Sequence, residues 1–333
     1  MDSVISRGIK IIGTGSYAPP LSVSNNDLAE TLDTSDEWIK SRTGIERRYF
    51  NEGRPNHPMA IQASKNALAC AGVNAEDIDY IILSTCTPDF MYPTTACLIQ
   101  NGIGAYNAVC VDINAACTGF VMGLEMARAL LYAGYDRILL AASENLTSQV
   151  DFYDRTTSVL FGDGAGAVIL ERAEKTFASY MRAKGVPADN PLLYYKLKYE
   201  INTPFKCEEA DSYHGAYKEK LQMDGKEVYK FAVEAMPEAA AAACKRAGLS
   251  LDEIDLFIPH QANIRIVQTA VKSLGVPMEK VYTNIGKHGN TSSACMAVCL
   301  DELNAAGRLK EGMKLCLVGF GAGLTYGAVV LEI

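Results

Sequence analysis

The chain has 333 residues, of which 49% are hydrophobic and 21% are charged, and its formal net charge is -8. This composition supplies a sizeable apolar core, which excludes a disordered or fibrous protein. The acidic balance and the interleaving of lysines with acids disfavour a nucleic-acid-binding surface. The sequence has no signal-peptide run and no uninterrupted membrane-spanning run, so we expect a cytoplasmic protein without a membrane segment.

The cysteines and histidines lack the spacing of a metal site. The ten cysteines are scattered through apolar context without a C-x-x-C pair, and the four histidines have no H-x-x-x-H spacing. We therefore expect buried thiols in a reducing compartment and no bound metal.

The first predicted elements alternate between helix and strand. Thr34–Glu37 predicts a capping box that opens a helix carrying Trp38. A second helix ends at the glycine of Ala67–Gly72, an acidic turn follows at Glu76–Asp79, and Tyr80–Ser84 predicts a buried strand. This alternation favours mixed or parallel sheets covered by helices over a β-sandwich.

A cysteine lies at the junction of a predicted strand and a predicted central helix. Val109–Ile113 predicts the strand, and Phe120–Tyr132 is apolar around nearly its whole circumference, which predicts a buried helix. Cys117 therefore lies at the helix N-terminus, where the dipole and the free N–H groups favour a thiolate and can hold an oxyanion. The alternative is an inert buried thiol.

The second part of the chain repeats the pattern of the first. Ala241–Gly248, Asp252–Asp255 and Leu256–Ile258 predict the same succession of helix, acidic turn and strand. The glycine-rich strings Phe161–Leu170 and Phe320–Leu331 also resemble each other.

The repeat predicts the domain organisation. We expect two similar α/β halves, residues 1–172 and 173–333, which pack about a pseudo-twofold axis. The polar stretch at 173–223 has no recognisable counterpart in the first half, so we expect it to be an excursion from the repeat.

Polar residues in the second half lie at predicted strand and helix ends. His260 follows the strand Leu256–Ile258, and Asn263 has the position of the N-cap of the next helix. Asn290 occupies the place in the second half that Cys117 occupies in the first, so the duplication brings these two positions face to face. A hydrogen bond within a loop is the alternative explanation for an isolated histidine at such a place.

The glycine-rich strings do not predict a dinucleotide site. Gly162–Gly166 leads into a strand, so a pyrophosphate would have no helix N-terminus to bind. Phe320–Gly323 also precedes a strand, and its glycines suit close approach of the backbone to a ligand.

Five strings together resemble the β-ketoacyl-acyl-carrier-protein synthase III family, the initiating condensing enzymes of type II fatty-acid synthesis. They are Ala115–Phe120, Phe161–Gly166, Pro259–Asn263, Gly289–Ser292 and Phe320–Gly323. The resemblance runs from about Ile11 to Ile333 and is weakest in the polar stretch. It implies a thiolase-like α/β fold, with two duplicated halves in a layered α-β-α-β-α arrangement, and a homodimer.

The resemblance implies a ping-pong reaction. Cys117 accepts an acyl group from an acyl-coenzyme A, and malonyl-acyl-carrier-protein then loses carbon dioxide and condenses with that group. His260 and Asn290 donate hydrogen bonds to the enolate, and the backbone N–H groups of Cys117 and Gly321 form the oxyanion hole for acyl transfer. Coenzyme A enters as part of the substrate, so no separate cofactor is implied.

The resemblance also assigns residues to coenzyme A. Trp38 and Arg155 match residues that sandwich its adenine, and Arg42 matches one that meets its phosphates, as cation–π stacking and charge pairing require. Asn263 is expected to contact the same ligand. A surface helix and an ordinary loop are the alternative explanation for these positions.

Two further assignments concern protein partners. Tyr92 falls where the family places an aromatic residue, usually Phe, that reaches across the dimer to close the acyl pocket. Arg265 and Lys272, on the helix after His260, are expected to form a basic patch for the acidic carrier protein. Taken alone, Arg265 and Lys272 would be read as part of a solvated helix face.

Departures from related enzymes narrow the choice of activity. A degradative thiolase needs a second cysteine where this chain has Phe320–Gly323, and elongating synthases use a second histidine where Asn290 stands. A same-fold enzyme that transfers acyl groups to oxygen or nitrogen, or that serves secondary metabolism, stays open. A non-catalytic module that binds acyl-carrier protein is disfavoured because Cys117, His260 and Asn290 are all present.

Overall fold

The chain forms two β-sheets with helices around and between them in a computed structural model, which describes residues 7–187, 192–195 and 220–333. The strands are β1 (Gly8–Tyr17), β2 (Leu21–Ser24), β3 (Arg47–Phe50), β4 (Tyr80–Ser84), β5 (Val109–Ile113), β6 (Arg137–Glu144), β7 (Gly164–Ala173), β8 (Phe177–Ala183), β9 (Leu193–Tyr194), β10 (Gln222–Met223), β11 (Leu256–Pro259), β12 (Lys314–Gly321) and β13 (Thr325–Glu332). The helices are α1 (Asn25–Ala29), α2 (Asp36–Thr43), α3 (His57–Ala71), α4 (Thr95–Ile103), α5 (Gly119–Ala133), α6 (Gly225–Ala247), α7 (Ile264–Leu274), α8 (Ile285–His288) and α9 (Ala294–Ala305).

The first sheet contains five strands in the order β1-β7-β6-β4-β5. β5, β4 and β6 are parallel to one another, whereas β7 and β1 run antiparallel to their neighbours. β4 and β6 are buried along nearly their whole length, which explains why their sequences are continuous apolar runs. Because the three parallel strands end at the same edge, the turn that carries Cys117 begins at that edge.

The second sheet repeats this order with four strands, β8-β13-β12-β11. β11 and β12 are parallel, and β13 is antiparallel to both of its neighbours. In place of a fifth strand, Phe257 forms a single parallel bridge with Val281. β8, β13, β12 and β11 therefore correspond to β1, β7, β6 and β4.

The expectation that 173–223 has no counterpart in the first half is wrong for its first part. Phe177–Ala183 forms β8, which pairs with β13 as β1 pairs with β7. This strand lies at the edge of its sheet and is buried only over its first three residues, so its sequence lacks the apolar run of an inner strand. The rest of the predicted excursion lies largely outside the described residues, at 188–191 and 196–219.

Helices form the other layers of the molecule. α3 packs on the outer face of the first sheet, and α6 packs on the outer face of the second. α5 and α9 lie between the sheets, where buried side chains of both helices and both sheets form one apolar cluster. This central position explains why α5 is apolar on nearly all sides. The layered α/β arrangement predicted from the resemblance is confirmed.

The described ranges contain no helix that is both long and apolar enough to cross a bilayer. Across those ranges, no three His, Cys, Asp or Glu side chains are grouped in a way that could hold a metal ion. The nine cysteines in this part of the chain are free thiols.

Candidate active site

One cavity of about 210 Å³ brings together side chains from both halves of the chain. Its lining extends from the exposed Arg155 and the half-buried Trp38 to the buried Cys117. His260 and Asn290 line the same cavity. The three residues predicted to carry the chemistry therefore meet in one space, although Cys117 is more than a hundred positions from His260 and Asn290 in the sequence.

Cys117 is presented to the cavity by a strained turn between β5 and α5. Residues Ala116–Thr118 form a short 3-10 turn, and Ala116 has a φ of 44°, a left-handed value that is rare outside glycine. The hydroxyl groups of Thr118 and Thr325 lie 2.7 Å apart and tie this turn to β13. The turn therefore directs the thiol of a residue at the head of the central helix into the cavity.

Burial dominates the acidity of this thiol. Cys117 is only 7% exposed, and its burial raises the pKa of the thiol to about 12. The helix N-terminus acts in the opposite direction, because its dipole favours the thiolate. The side chain is consequently held as a thiol at neutral pH, and its proton must leave when the sulfur attacks a substrate.

The backbone of Gly321 lies directly against the backbone of Cys117. A Cβ atom at Gly321 would stand only 2.8 Å from the Cys117 nitrogen, closer than real Cβ contacts allow. β12 thus delivers Gly321 to the turn only because it has no side chain. The two residues predicted to form an oxyanion hole are neighbours in the fold.

His260 follows β11 and is held in place through its backbone and its ring. Its N–H donates to the Val318 carbonyl at 2.8 Å, and its ring lies edge-on to Phe320 with centroids 5.4 Å apart. Nδ1 is 3.1 Å from the Cys295 sulfur, so Nε2 is the ring nitrogen left for the cavity. Burial lowers the pKa of His260 to about 3, so the imidazole is neutral at physiological pH.

Asn290 is fixed by the glycine-rich string of the first half. Its N–H donates to the Leu160 carbonyl at 2.9 Å, and its carbonyl accepts from the Gly162 N–H at 3.1 Å. Its side-chain oxygen accepts a hydrogen bond of 2.9 Å from the Ser292 N–H. Because a backbone donor occupies the oxygen, the amide NH₂ is the group left to donate into the cavity.

Trp38 contacts two arginines at the exposed part of the cavity. The guanidinium carbons of Arg42 and Arg155 are 4.8 and 5.4 Å from its ring centroid. Arg155 also pairs with Asp33, whose carboxylate oxygen is 3.2 Å away. Trp38 and Arg155 line the cavity, whereas Arg42 does not.

Asn263 combines the two roles that its position suggested. It is the N-cap of α7, where its side-chain oxygen accepts from the Arg265 N–H at 2.8 Å. It also lines the cavity.

The residues assigned to protein partners lie outside the cavity. Tyr92 is 84% exposed on the loop that follows β4. Arg265 and Lys272 are exposed on α7, and within the described residues neither side chain has an ion-pair partner.

A buried carboxyl group near the nucleophile was not predicted. Glu144 ends β6 at 0% exposure and accepts hydrogen bonds from the Cys86 N–H at 3.0 Å and the Ser293 hydroxyl at 2.7 Å. It has no cationic partner in the described part of the chain, and burial raises its pKa. The carboxylate also lies close enough to Cys117 to raise the pKa of that thiol. The only signal in the sequence is an acid at the end of an apolar strand.

The chain matches one enzyme family over both halves. Residues 111–185 match the family described as 3-oxoacyl-[acyl-carrier-protein] synthase III, and residues 244–333 match its C-terminal part. A β-ketoacyl-[acyl-carrier-protein] synthase III of Clostridium novyi is 39% identical, covering 97% of this chain and 98% of the relative. The chain belongs to the synthase III family. The family predicted from the five strings is confirmed.

Solved structures of similar proteins have the same fold. The 3-oxoacyl-[acyl-carrier-protein] synthase III of Aquifex aeolicus is 40% identical with a TM-score of 0.87, covering 98% of this chain and 100% of that structure. The priming β-ketosynthase of the R1128 polyketide pathway is 34% identical with a TM-score of 0.89, covering 98% of this chain and 97% of that structure. The prediction of a thiolase-like condensing enzyme that transfers acyl groups is confirmed by synthase III membership.

Proposed function

We propose that the chain condenses an acyl-coenzyme A primer with malonyl-acyl-carrier-protein to give 3-oxoacyl-acyl-carrier-protein, the first condensation of fatty-acid synthesis. The observation that carries this proposal is the single cavity lined by Cys117, His260 and Asn290. A thiol, a neutral imidazole and a primary amide from two halves of a chain supply a nucleophile and two uncharged donors.

The first half-reaction is acyl transfer to Cys117. The sulfur attacks the thioester carbonyl, and coenzyme A leaves with the proton that the Cys117 thiol gives up. Negative charge develops on the carbonyl oxygen during the attack, and the backbone N–H groups of Cys117 and Gly321 are the donors we assign to it. Their close packing supports this assignment.

The second half-reaction is decarboxylation followed by carbon–carbon bond formation. The malonyl group loses carbon dioxide, and the electrons left behind form an enolate that attacks the acyl carbon on Cys117. We assign His260 Nε2 and the Asn290 amide as donors to the enolate oxygen. A neutral His260 suits this role because it donates without transferring its proton. The Cys117 sulfur leaves and regains a proton, so no separate cofactor is required.

Coenzyme A binding is assigned to the exposed part of the cavity. Adenine stacks between Trp38 and Arg155, Arg42 binds the phosphates, and Asn263 contacts the same ligand. Arg155 lies over the Trp38 ring at 5.4 Å, so an adenine between them requires the guanidinium to move outward.

The acyl-carrier protein and a second copy of the chain are the proposed partners. Arg265 and Lys272 are exposed cations on α7, the helix whose N-cap lines the cavity, and an acidic carrier protein complements them. In the described part of the chain β5 is an edge strand of the first sheet, and apolar side chains on it, just before it and on the loop after β4 are exposed. They are Phe90, Met91, Tyr92, Tyr106 and Val109. Such an edge suits pairing with its own copy, which would bring Tyr92 to the partner's acyl pocket.

A second candidate is a priming enzyme of secondary metabolism with the same chemistry. The 34% identity to the priming ketosynthase of the R1128 pathway favours it. The two candidates share Cys117 acylation and differ in primer and carrier. Primer choice can change with small differences in the pocket, because each methylene contributes only about 1–3 kcal/mol to discrimination. A rate comparison across short, long and branched acyl-coenzyme A donors, with both types of carrier protein, separates them.

Mass spectrometry of the acylated protein tests the proposal. Incubation with an acyl-coenzyme A adds one acyl group to the peptide that contains Cys117, and the Cys117→Ser variant gains none at that position. Cys244→Ser is the matched control, because Cys244 is a buried thiol outside the cavity. Acylation elsewhere, or no acylation, overturns the proposal.

A further inference from the structure

The partner of the His260 ring is a thiol in place of the usual carboxylate or carbonyl. Nδ1 of His260 is 3.1 Å from the sulfur of Cys295, a residue of α9. Both side chains are buried, at 1% and 2% exposure. We propose that Cys295 is a positioning residue that donates its S–H to Nδ1 and thereby keeps the imidazole proton on Nε2, facing the cavity.

The direction of this hydrogen bond follows from the surroundings of the sulfur. The backbone N–H of Gln261 already points at the Cys295 sulfur, at 3.4 Å, and occupies it as an acceptor. If Nδ1 carried the proton, two N–H donors would share one sulfur, and the buried S–H would face no acceptor within the described residues. An unpaired buried donor is unfavourable, so the S–H is the donor and Nδ1 is the acceptor.

The protonation states of both groups are compatible with this direction. Burial lowers the pKa of His260, so the ring is neutral and carries one proton. Burial also raises the pKa of Cys295, so its thiol keeps the proton that it donates. A neutral imidazole with an occupied Nδ1 lone pair has its proton on Nε2.

The inference rests on the proposed function, because only a donor on Nε2 can stabilise an enolate there. The opposite tautomer would present a lone pair to the developing negative charge. Acyl transfer to Cys117 does not use His260 as a donor in the proposed reaction. Cys295 therefore affects decarboxylation and leaves acylation of Cys117 unchanged.

¹⁵N NMR of protein labelled at its histidine rings tests which tautomer His260 adopts. The chain has only four histidines, so the His260 ring can be assigned by its loss in His260→Gln. We expect the wild-type ring to carry its proton on Nε2. Cys295→Ser keeps a donor and keeps that pattern, whereas Cys295→Ala gives an average of the two tautomers.

Partial reactions provide the functional readout. Cys295→Ala is expected to slow malonyl decarboxylation about tenfold and to leave acylation of Cys117 within about twofold, while Cys295→Ser restores most of the loss. Cys299→Ala is the matched control. Cys299 is also buried on α9, one turn later, but its sulfur contacts the Asn284 side-chain oxygen at 3.2 Å.

The outcomes separate this inference from the proposed function. A wild-type ring protonated on Nδ1, or a Cys295→Ala ring that keeps the wild-type pattern, overturns the inference even if condensation is normal. Equal losses in Cys295→Ala and Cys299→Ala also overturn it. Failure of wild-type Cys117 to accept an acyl group overturns the proposed function, whatever the tautomer. Because the wild-type spectrum is itself a test, the inference does not depend on the Cys295 variants folding.

Discussion

At the residue scale, uncharged donors facing a buried thiol define the proposed chemistry. Asn290 has its side-chain oxygen held by the Ser292 N–H, and His260 has its Nδ1 beside Cys295. Each polar side chain therefore has one end engaged by the protein and one end left for the substrate. This division of hydrogen bonds fixes which atom of each residue can act on a ligand.

Asn290→Asp tests the donor role with little change of shape. The aspartate keeps an oxygen for the Ser292 N–H but replaces the NH₂ group with a second oxygen. We expect malonyl decarboxylation to fall about 100- to 1,000-fold, as for loss of one oxyanion donor, with acylation of Cys117 largely retained. Measurement of both partial reactions decides the point, and equal loss of both would show that Asn290 acts only on the structure.

The buried imidazole of His260 predicts a pH dependence of stability. Its pKa is about 3 in the folded protein and 6.5 as an ordinary histidine, so the unfolded chain binds the additional proton between these values. The stability that the neutral His260 imidazole contributes is therefore fully present above about pH 6.5 and is lost progressively as the pH falls towards 3. From about pH 7.5 to about pH 5 the loss from this residue is about 2 kcal/mol.

Urea denaturation of wild type and His260→Gln at those two pH values isolates this contribution from the other histidines. The wild type should lose more stability on acidification than the variant. Parallel losses would mean that His260 titrates normally and is accessible to water.

At the element scale, the site depends on the ends of three elements meeting. The turn after β5 carries Cys117, the end of β12 carries Gly321, and the segment after β11 carries His260. Small residues let these backbones approach, and the left-handed φ of Ala116 turns the chain sharply into α5. The geometry of the nucleophile therefore belongs to packed backbone and not to flexible side chains.

Gly321→Ala tests that packing. The added Cβ meets the Cys117 backbone nitrogen at 2.8 Å, so the two N–H groups must separate. We expect acylation of Cys117 to fall about 100-fold or more. Gly185→Ala is the control, because among the described residues a Cβ at that position meets nothing within 4 Å. An unimpaired Gly321→Ala variant would exclude the assigned oxyanion hole.

At the scale of the whole molecule, the duplication explains how much of the fold the sequence predicts. The repeated succession of helix, turn and strand predicts the two halves, and the strand before Cys117 and the helix after it are found where the pattern indicates. β8 was missed because an edge strand needs no apolar run. Glu144 and Cys295 were missed because their contacts come from distant segments, which no local pattern encodes.

The edge strand β5 of the first sheet predicts a dimer. Val109→Asp places a charge on the apolar edge strand β5, where Val109 is 46% exposed. We expect the variant to sediment as a monomer, or to dissociate at a much higher protein concentration than the wild type. Tyr153→Asp, at a tyrosine that is 93% exposed and lies outside the strands, should leave the assembly unchanged. A monomeric wild type would refute the dimer.

A chase of the acylated enzyme tests the central claim most directly. Protein carrying one acyl group on Cys117 is separated from coenzyme A and mixed with malonyl-acyl-carrier-protein, and the bound acyl group, carbon dioxide and 3-oxoacyl product are counted. The account predicts that each acyl group lost from Cys117 yields one carbon dioxide and one 3-oxoacyl-acyl-carrier-protein. Loss of the acyl group to water, or to an oxygen or nitrogen nucleophile of another acceptor, without release of carbon dioxide would contradict it.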